Sequence, residues 1–125
     1  MQISINRTHD SITTTGCLSS GAKNPIKIVS QDAEDLTGPI ITEVRYKSNK
    51  VASQQANVSN GVVSTEINTN TDAMANVLSS VGSVEVLPVR VDILVAGSPN
   101  TLIGSGDVIM VINTAQDLPT AETLT

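Results

Sequence analysis

The stretch Ser83-Val-Glu-Val-Leu-Pro-Val-Arg-Val-Asp-Ile-Leu-Val95 is the longest apolar run in the chain and its clearest strand signal. From Val89 to Val95 every second residue is apolar, which is the pattern of a strand with one buried face. Arg90 and Asp92 lie between them and are expected on the opposite face. We expect shorter strands and polar loops from the remaining chain to cover this strand.

The phase of the alternation changes at Pro88. Before the proline the apolar set consists of Val84 and Val86, which is the opposite phase to the residues that follow. A proline cannot donate to the hydrogen-bond ladder of a sheet. The change of phase therefore predicts a bulge, or a bend between two sheets, at Pro88.

The composition indicates one domain made mainly of strands. A chain of 125 residues is long enough for a single core. Its apolar share of 39% and charged share of 15% are both low, and Val and Ile far outnumber Leu, which favours strands. Because a core of Val and Ile has few large side chains, we expect the chain to gain stability by assembling with copies of itself.

The charge balance argues against a nucleic-acid partner. The net charge is −5, and the basic residues are scattered apart from a loose group of Arg45, Lys47 and Lys50 that is expected on the solvent face of a strand and its turn. Nucleic-acid binding needs a basic surface and usually aromatic platforms, and the only aromatic residue is Tyr46. No apolar run approaches the roughly 20 residues of a membrane span, so no membrane partner is predicted.

No pattern predicts catalysis, a cofactor or a metal site. Cys17 is the only cysteine and His9 the only histidine, which excludes an intramolecular disulfide and a cysteine-rich zinc site, and their spacing does not indicate a nucleophile and its base. Asp32, Glu34 and Asp35 do not follow the alternating spacing of a calcium loop. We therefore predict a solvated acidic loop and a protein that is not an enzyme.

Three strands are predicted before residue 30, with a loop over residues 16–25. They cover residues 2–6, residues 11–15, and residues 26–29, where Pro25 begins the strand. A fourth strand spans residues 40–47. Within it, Ile40, Thr42, Val44 and Tyr46 are expected to point inward, and Glu43, Arg45 and Lys47 toward water.

Asn60-Gly61 is the strongest turn signal, since both residues tolerate the positive φ of a type I′ hairpin. Residues 62–67 are predicted to be its return strand. Residues 51–58 are polar and are interpreted either as an exposed edge strand or as an excursion. The segment 40–67 is therefore predicted to form a meander.

One helix is predicted over residues 72–79. Met74, Val77, Leu78 and Val81 recur at spacings of three and four residues, which places them on one helical face. We expect the helix to plug one end of the β structure. Binding of a partner is the alternative.

The C-terminal third is predicted to contain a hairpin connection, a strand and a tail. Residues 97–106 are rich in Gly and Ser and are interpreted as the connection. Residues 107–113 are predicted to form a strand covered on both faces and paired with residues 89–95. The domain then ends at residue 113, and residues 114–125 form a flexible or partner-bound tail.

The fold class predicted from these signals is all-β. Turn signals recur about every 8–12 residues, which is typical of an immunoglobulin-like β-sandwich or a small β-barrel of roughly seven to nine short strands.

A small, acidic, all-β chain rich in Thr, Ser, Asn and Val, without catalytic motifs, resembles the structural proteins of tailed-phage virions. It is most similar in character to capsid decoration (cement) proteins and to the anchoring domains of head fibres. The resemblance implies a non-enzymatic virion protein that is assembled in the host cytoplasm and bridges neighbouring coat subunits on the capsid surface. The alternative is an immunoglobulin-like anchoring, receptor-binding or glycan-binding module of a phage fibre or adhesin.

The resemblance also implies partners: copies of this chain, with a trimer favoured, and the major capsid protein or another virion protein. The candidate contact segments are residues 1–8, 97–106 and 114–125, chosen for their composition. The apolar residues in them that are predicted to form the interface are Ile3, Ile5, Leu102, Ile103, Leu118 and Leu124.

Overall fold

The structure is a computed structural model that describes residues 1–6, 8–31 and 36–112. Two predictions fall outside these residues. They are the acidic part, residues 32–35, of the solvated loop predicted over residues 31–39, and the tail at residues 114–125, which contains the predicted contact residues Leu118 and Leu124.

The described chain consists mostly of strands with one short helix, so the all-β prediction is confirmed. The elements are β1 (Gln2–Asn6), β2 (Ser11–Thr15), β3 (Leu18–Ser19), β4 (Lys23–Ser30), β5 (Pro39–Tyr46), β6 (Asn49–Asn57), β7 (Val63–Asn68), α1 (Asp72–Val81), β8 (Val86–Val95) and β9 (Thr101–Val111).

All nine strands belong to one sheet that curls into a nearly closed small barrel. The order is β6-β5-β8-β9-β2-β1-β4-β7, and β3 pairs with β9 outside this path. The two terminal strands, β6 and β7, come to lie beside each other without a ladder between them. This unpaired junction is called the seam below.

The core consists of the inward residues of each strand, and it contains no aromatic side chain among the described residues. The buried residues recur at alternate positions along a strand. Examples are Ile3 and Ile5 in β1, and Ile40, Thr42 and Val44 in β5. Burial of such Ile and Val side chains contributes about 1.5–3 kcal/mol each relative to exposure. The prediction that Ile40, Thr42 and Val44 point inward is confirmed, while Tyr46 is only half-buried.

The bulge and change of phase predicted at Pro88 are wrong. Leu87 is buried and Val86 exposed, so the burial phase of Val89 already holds before the proline. The carbonyl of Glu85 points toward β9, where it accepts from the N–H of Ile112. Because the backbone groups of successive strand residues point to alternate sides, the nitrogen of Pro88, three residues later, points away from β9. On that other side of β8 the strand β5 has already ended, so Pro88 costs the sheet no ladder hydrogen bond. The register shift lies at Ile93/Leu94 instead.

Pro25 occupies an equivalent position, inside β4 and not at its start. Lys27 donates its N–H to the carbonyl of Met1 on the side of β1, so the nitrogen of Pro25, two residues earlier, faces that same side. The β1–β4 pairing begins only at Lys27. The ladder between β4 and β7 therefore continues through Pro25.

The loop predicted over residues 16–25 is shorter than expected. It contains β3, and β4 already begins at Lys23. The buried amide of Asn24 links these elements: its Oδ1 accepts from the N–H of Ser19 at 2.8 Å, and its Nδ2 lies 3.3 Å from the carbonyl of Ile67 and 3.3 Å from Oγ1 of Thr69. An isolated Asn in the sequence gives no sign of this connection.

The turn at Asn60-Gly61 is confirmed, but the meander over 40–67 is not. Both turn residues have positive φ, 53° and 75°, and Ser59 and Val62 exchange backbone hydrogen bonds across them. Beyond that bridge the strands separate, because β7 pairs with β4 and leaves β6 paired only with β5. Residues 51–57 are thus an edge strand, one of the two interpretations offered.

The helix α1 is confirmed and packs against β6 beside the seam. The Thr71 side chain caps it by accepting from the N–H of Met74 at 3.1 Å. The same hydroxyl donates to the carbonyl of Val51 at 2.6 Å, on the strand that lacks a second neighbour. Met74 and Val77 are the buried residues of the helix.

The segment predicted as a connection over 97–106 is mostly strand, because β9 begins at Thr101. The second half of β9 is covered on one face only, so the prediction that residues 107–113 are buried on both faces is wrong. Val108 and Met110 are buried, whereas Ile109 and Val111 are exposed. The predicted pairing with 89–95 is confirmed within a longer ladder.

Two glycines of β9 allow the barrel to close. A Cβ at Gly106 would lie 2.6 Å from Cγ1 of Ile12, and one at Gly104 would lie 2.9 Å from Cγ2 of the same residue. Ile12 belongs to β2, which pairs with β9 only through Ser11↔Ser105. A side chain at either position would therefore push the two strands apart.

We expect Gly106→Ala to lower the free energy of unfolding by about 1–3 kcal/mol, because the added methyl group overlaps a stiff β-branched side chain. The measurement is urea unfolding. The control is Ile12→Ala, alone and combined with Gly106→Ala. The combined variant should lose less than the sum of the two single losses, and simple additivity would contradict the proposed contact.

Candidate functional site

The outer face of β5 and β8 carries a cluster of charged side chains. This outer charged cluster consists of Glu43, Arg45, Arg90 and Asp92, with Lys50 at its margin. Arg45 Nη2 lies 2.9 Å from Glu43 Oε1, Arg90 Nη2 lies 3.1 Å from Asp92 Oδ2, and Arg45 Nε lies 3.5 Å from the same Asp92 oxygen. Cross-strand pairing of Glu43 with Asp92 and of Arg45 with Arg90 brings the four together.

Asp92 is the most buried member, with 6% of its surface exposed. Its second oxygen accepts from the hydroxyl of Ser105 at 2.7 Å, so both oxygens are bonded. No buried polar side-chain atom in the described part of the chain lacks a hydrogen-bond partner. Both carboxylates of the cluster are thus paired with cations, Arg45 being shared between them, as expected of a cluster that stabilises the sheet.

We expect Asp92→Ala to lower the free energy of unfolding by about 1–3 kcal/mol, since it leaves Ser105 and two guanidinium groups without their shared acceptor. The matched control is Glu66→Ala, an exposed carboxyl group on β7 outside the cluster, for which a change within about 0.5 kcal/mol is expected. Chemical denaturation of both variants provides the measurement. Equal losses would show that Asp92 has no special role.

The other end of the β8–β9 ladder is apolar on its outer face. Val86, Ile109 and Val111 are 52%, 47% and 40% exposed, and Pro88 is exposed beside them. The pairs Val86↔Val111 and Pro88↔Ile109 are direct cross-strand neighbours. These four residues form the outer apolar patch, which sequence reasoning missed because residues 107–113 read as a strand buried on both faces.

The predicted contact residues fall into three groups. Ile3 and Ile5 are 0% exposed and Ile103 is 4% exposed, so in this fold their side chains pack in the core and not on a contact surface. The segment that contains Ile3 and Ile5 is β1, which is flanked by β2 and β4. Leu102 is 47% exposed. Leu118 and Leu124 lie outside the described residues.

His9 and Cys17 are exposed and lie at opposite ends of β2. His9 is in the turn before the strand and Cys17 follows its far end. At about 3.3 Å per residue, the five residues of β2 separate them by about 16 Å. Among the described residues there is also no group of three or more His, Cys, Asp or Glu side chains placed to hold a metal ion.

A cleft of about 580 Å³ lies between the β5–β6 turn and α1. This turn–helix cleft is lined by residues 46–50 on one side and by Ala73, Asn76, Val77 and Ser80 on the other. Tyr46 forms part of its wall, and the Nζ of Lys47 lies 5.4 Å from the centre of the tyrosine ring. Lys47 and Lys50 of the loose basic group noted in the sequence thus line this cleft, whereas Arg45 belongs to the outer charged cluster.

The fold and these surfaces define a small, nearly closed all-β barrel with one short helix packed against β6. Comparison with protein-family models, with curated proteins and with solved structures finds no match. Within the part of the chain that the structure describes, no helix is both long and apolar enough to cross a membrane.

Proposed function

We propose that this chain is a non-enzymatic structural protein that associates with copies of itself through the outer apolar patch and decorates a virion shell, where it bridges neighbouring coat subunits. The observation that supports association is the patch: Val86, Pro88, Ile109 and Val111 are adjacent and exposed on two paired strands. Contiguous exposed apolar residues rimmed by polar ones mark protein contact sites.

The surroundings of the patch favour a second copy of the chain as its occupant. Arg90 and Asp107 are exposed cross-strand neighbours at the polar end of the patch. When two copies meet through this surface, the cation of one copy can face the anion of the other. In a closed ring of copies each contact is head-to-tail, so Arg90 of one copy can face Asp107 of the next all the way around.

The contact is proposed to form through side chains and not through an added strand. The β5–β8 pairing ends at Arg45↔Arg90, so the edge of β8 from Val86 to Val89 has no neighbour on that side in the part of the chain that the structure describes. Pro88 lies within this edge and has no N–H to offer another strand. Extension of the sheet across the interface is therefore disfavoured, whereas the patch itself stays accessible.

The proposal keeps the trimer as the favoured assembly and a coat protein as the second partner. The support for the virion setting is the resemblance in composition and strand content. The alternative, an anchoring, receptor-binding or glycan-binding module of a fibre or adhesin, is supported by the turn–helix cleft.

We expect the chain to sediment as a closed oligomer whose mass persists on dilution. The variant Ile109→Thr with Val111→Thr keeps β-branched residues on the strand but makes the patch polar. It should weaken association at least about tenfold, the equivalent of 1.4 kcal/mol. Sedimentation velocity over a concentration series is the measurement.

The control variant is Leu102→Thr, an equally exposed leucine on the same strand outside the patch. It should leave the oligomer intact. A monomeric wild-type chain would contradict self-association, and loss of the oligomer in Leu102→Thr alone would place the contact at the other end of β9. The virion role is tested by adding the purified chain to shells that lack it, and failure to bind would contradict it.

A further inference from the structure

We propose that the turn–helix cleft is a binding site for a small anionic ligand that also carries hydroxyl groups, such as a sugar acid or a sugar phosphate. The juxtaposition that supports this is the placement of two lysines, side-chain amides and hydroxyls, and the only tyrosine of the chain around one cleft. The inference goes beyond the proposed structural role and does not depend on it.

The charge of the cleft is opposite to that of the whole chain. The chain has 12 acidic and 7 basic residues, yet the charged residues that line the cleft, among those the structure describes, are the two lysines Lys47 and Lys50. Two ammonium groups on one rim, in a chain of net charge −5, attract an anion locally.

Neither lysine is held closely by a carboxylate of the outer charged cluster. Arg45 of β5 is the cation that binds both Glu43 and Asp92. The Nζ of Lys50 reaches Glu43 only at 4.0 Å, and Lys47 has no carboxylate partner within ion-pair distance among the described residues. Their charges are therefore available to a ligand.

The opposite wall offers neutral hydrogen-bonding groups. Asn76 and Ser80 lie one helical turn apart on α1 and both face the cleft, and Asn49 lies across from them. Amides and hydroxyls are the groups that orient a hydroxylated ligand, while Tyr46 and Val77 add apolar surface. The volume of about 580 Å³ is within the range of small-molecule sites.

The walls of the cleft are held in place independently of any ligand. The β5–β6 hairpin is paired up to Tyr46↔Asn49, and Arg45 Nη1 donates to the carbonyl of Ser48 at 3.3 Å. The helix is fixed to β6 by the bond from Thr71 to Val51. Because the walls are already ordered, ligand binding carries little additional loss of conformational entropy, which favours affinity.

The test uses the intrinsic fluorescence of Tyr46, which is the only tyrosine in a chain without tryptophan. The full-length protein is titrated with glucuronate, with a hexose phosphate and with glucose at low ionic strength. We expect the two anions, but not glucose, to change the emission with saturation, and added salt to weaken binding. The anion that binds more tightly shows whether the cleft prefers a carboxylate or a phosphate.

Lys47 allows binding to be separated from folding. Its φ of 55° lies in the left-handed region, so Lys47→Gly removes the charge while relieving backbone strain and should unfold at the same temperature or higher. We expect its affinity for the preferred anion to fall about three- to tenfold, with a similar loss in Lys50→Gln. Lys27→Gln, at an exposed lysine on β4, is the matched control and should bind as the wild type does.

Backbone amide shifts of Asn76 and Ser80 provide a second readout of the same titrations. The proposal is overturned if neither fluorescence nor these shifts respond to either anion. It is also overturned if glucose binds as tightly as the anions, or if Lys27→Gln weakens binding as much as the cleft variants do, since that would indicate attraction by surface charge alone.

Discussion

The barrel depends on the close approach of β9 to β2. Gly104 and Gly106 leave room for Ile12, and the N–H of Ser105 between them donates to the carbonyl of Asp10 at 3.1 Å. This short parallel contact joins the antiparallel half β6-β5-β8-β9 to the half β2-β1-β4-β7. Since Ile5 also lies beneath Gly104, the interior can close over Val and Ile side chains without aromatic residues to fill it.

Because side chains fill the interior of the barrel, the surfaces that could contact a partner or a ligand lie on its outside. On the β8–β9 ladder this surface has a charged end, where Asp92 is bonded by Arg90, Arg45 and Ser105, and an apolar end around Ile109. The charged end satisfies itself within one chain and so holds strands together. The apolar end is exposed and has no such partner among the described residues, and we therefore propose association through it and ligand binding in the separate turn–helix cleft.

Predictions from the sequence succeeded where the signal was local. Alternation in residues 40–44, the spacing of Met74 and Val77, and the turn at Asn60-Gly61 each depend on neighbours within a few residues, and all three are confirmed. They failed where the outcome depended on distant strands. Glycines in residues 97–106 resembled a loop because nothing in the sequence indicates that Ile12 occupies their side-chain space. The turn–helix cleft was missed for the same reason, although its basic residues were noticed.

The sequence by itself determined the all-β class, the helix after residue 71, and the scarcity of large core residues, because backbone preference and periodicity are properties of short segments. Only the tertiary structure decided which strand edges are unpaired and which strand faces are exposed to solvent. Pro25 and Pro88 are tolerated inside strands because each directs its nitrogen to a side where the neighbouring strand is not paired. Val86 and Val111 are exposed although they are as apolar as the core, because the curvature of one continuous sheet buries a single face of each strand.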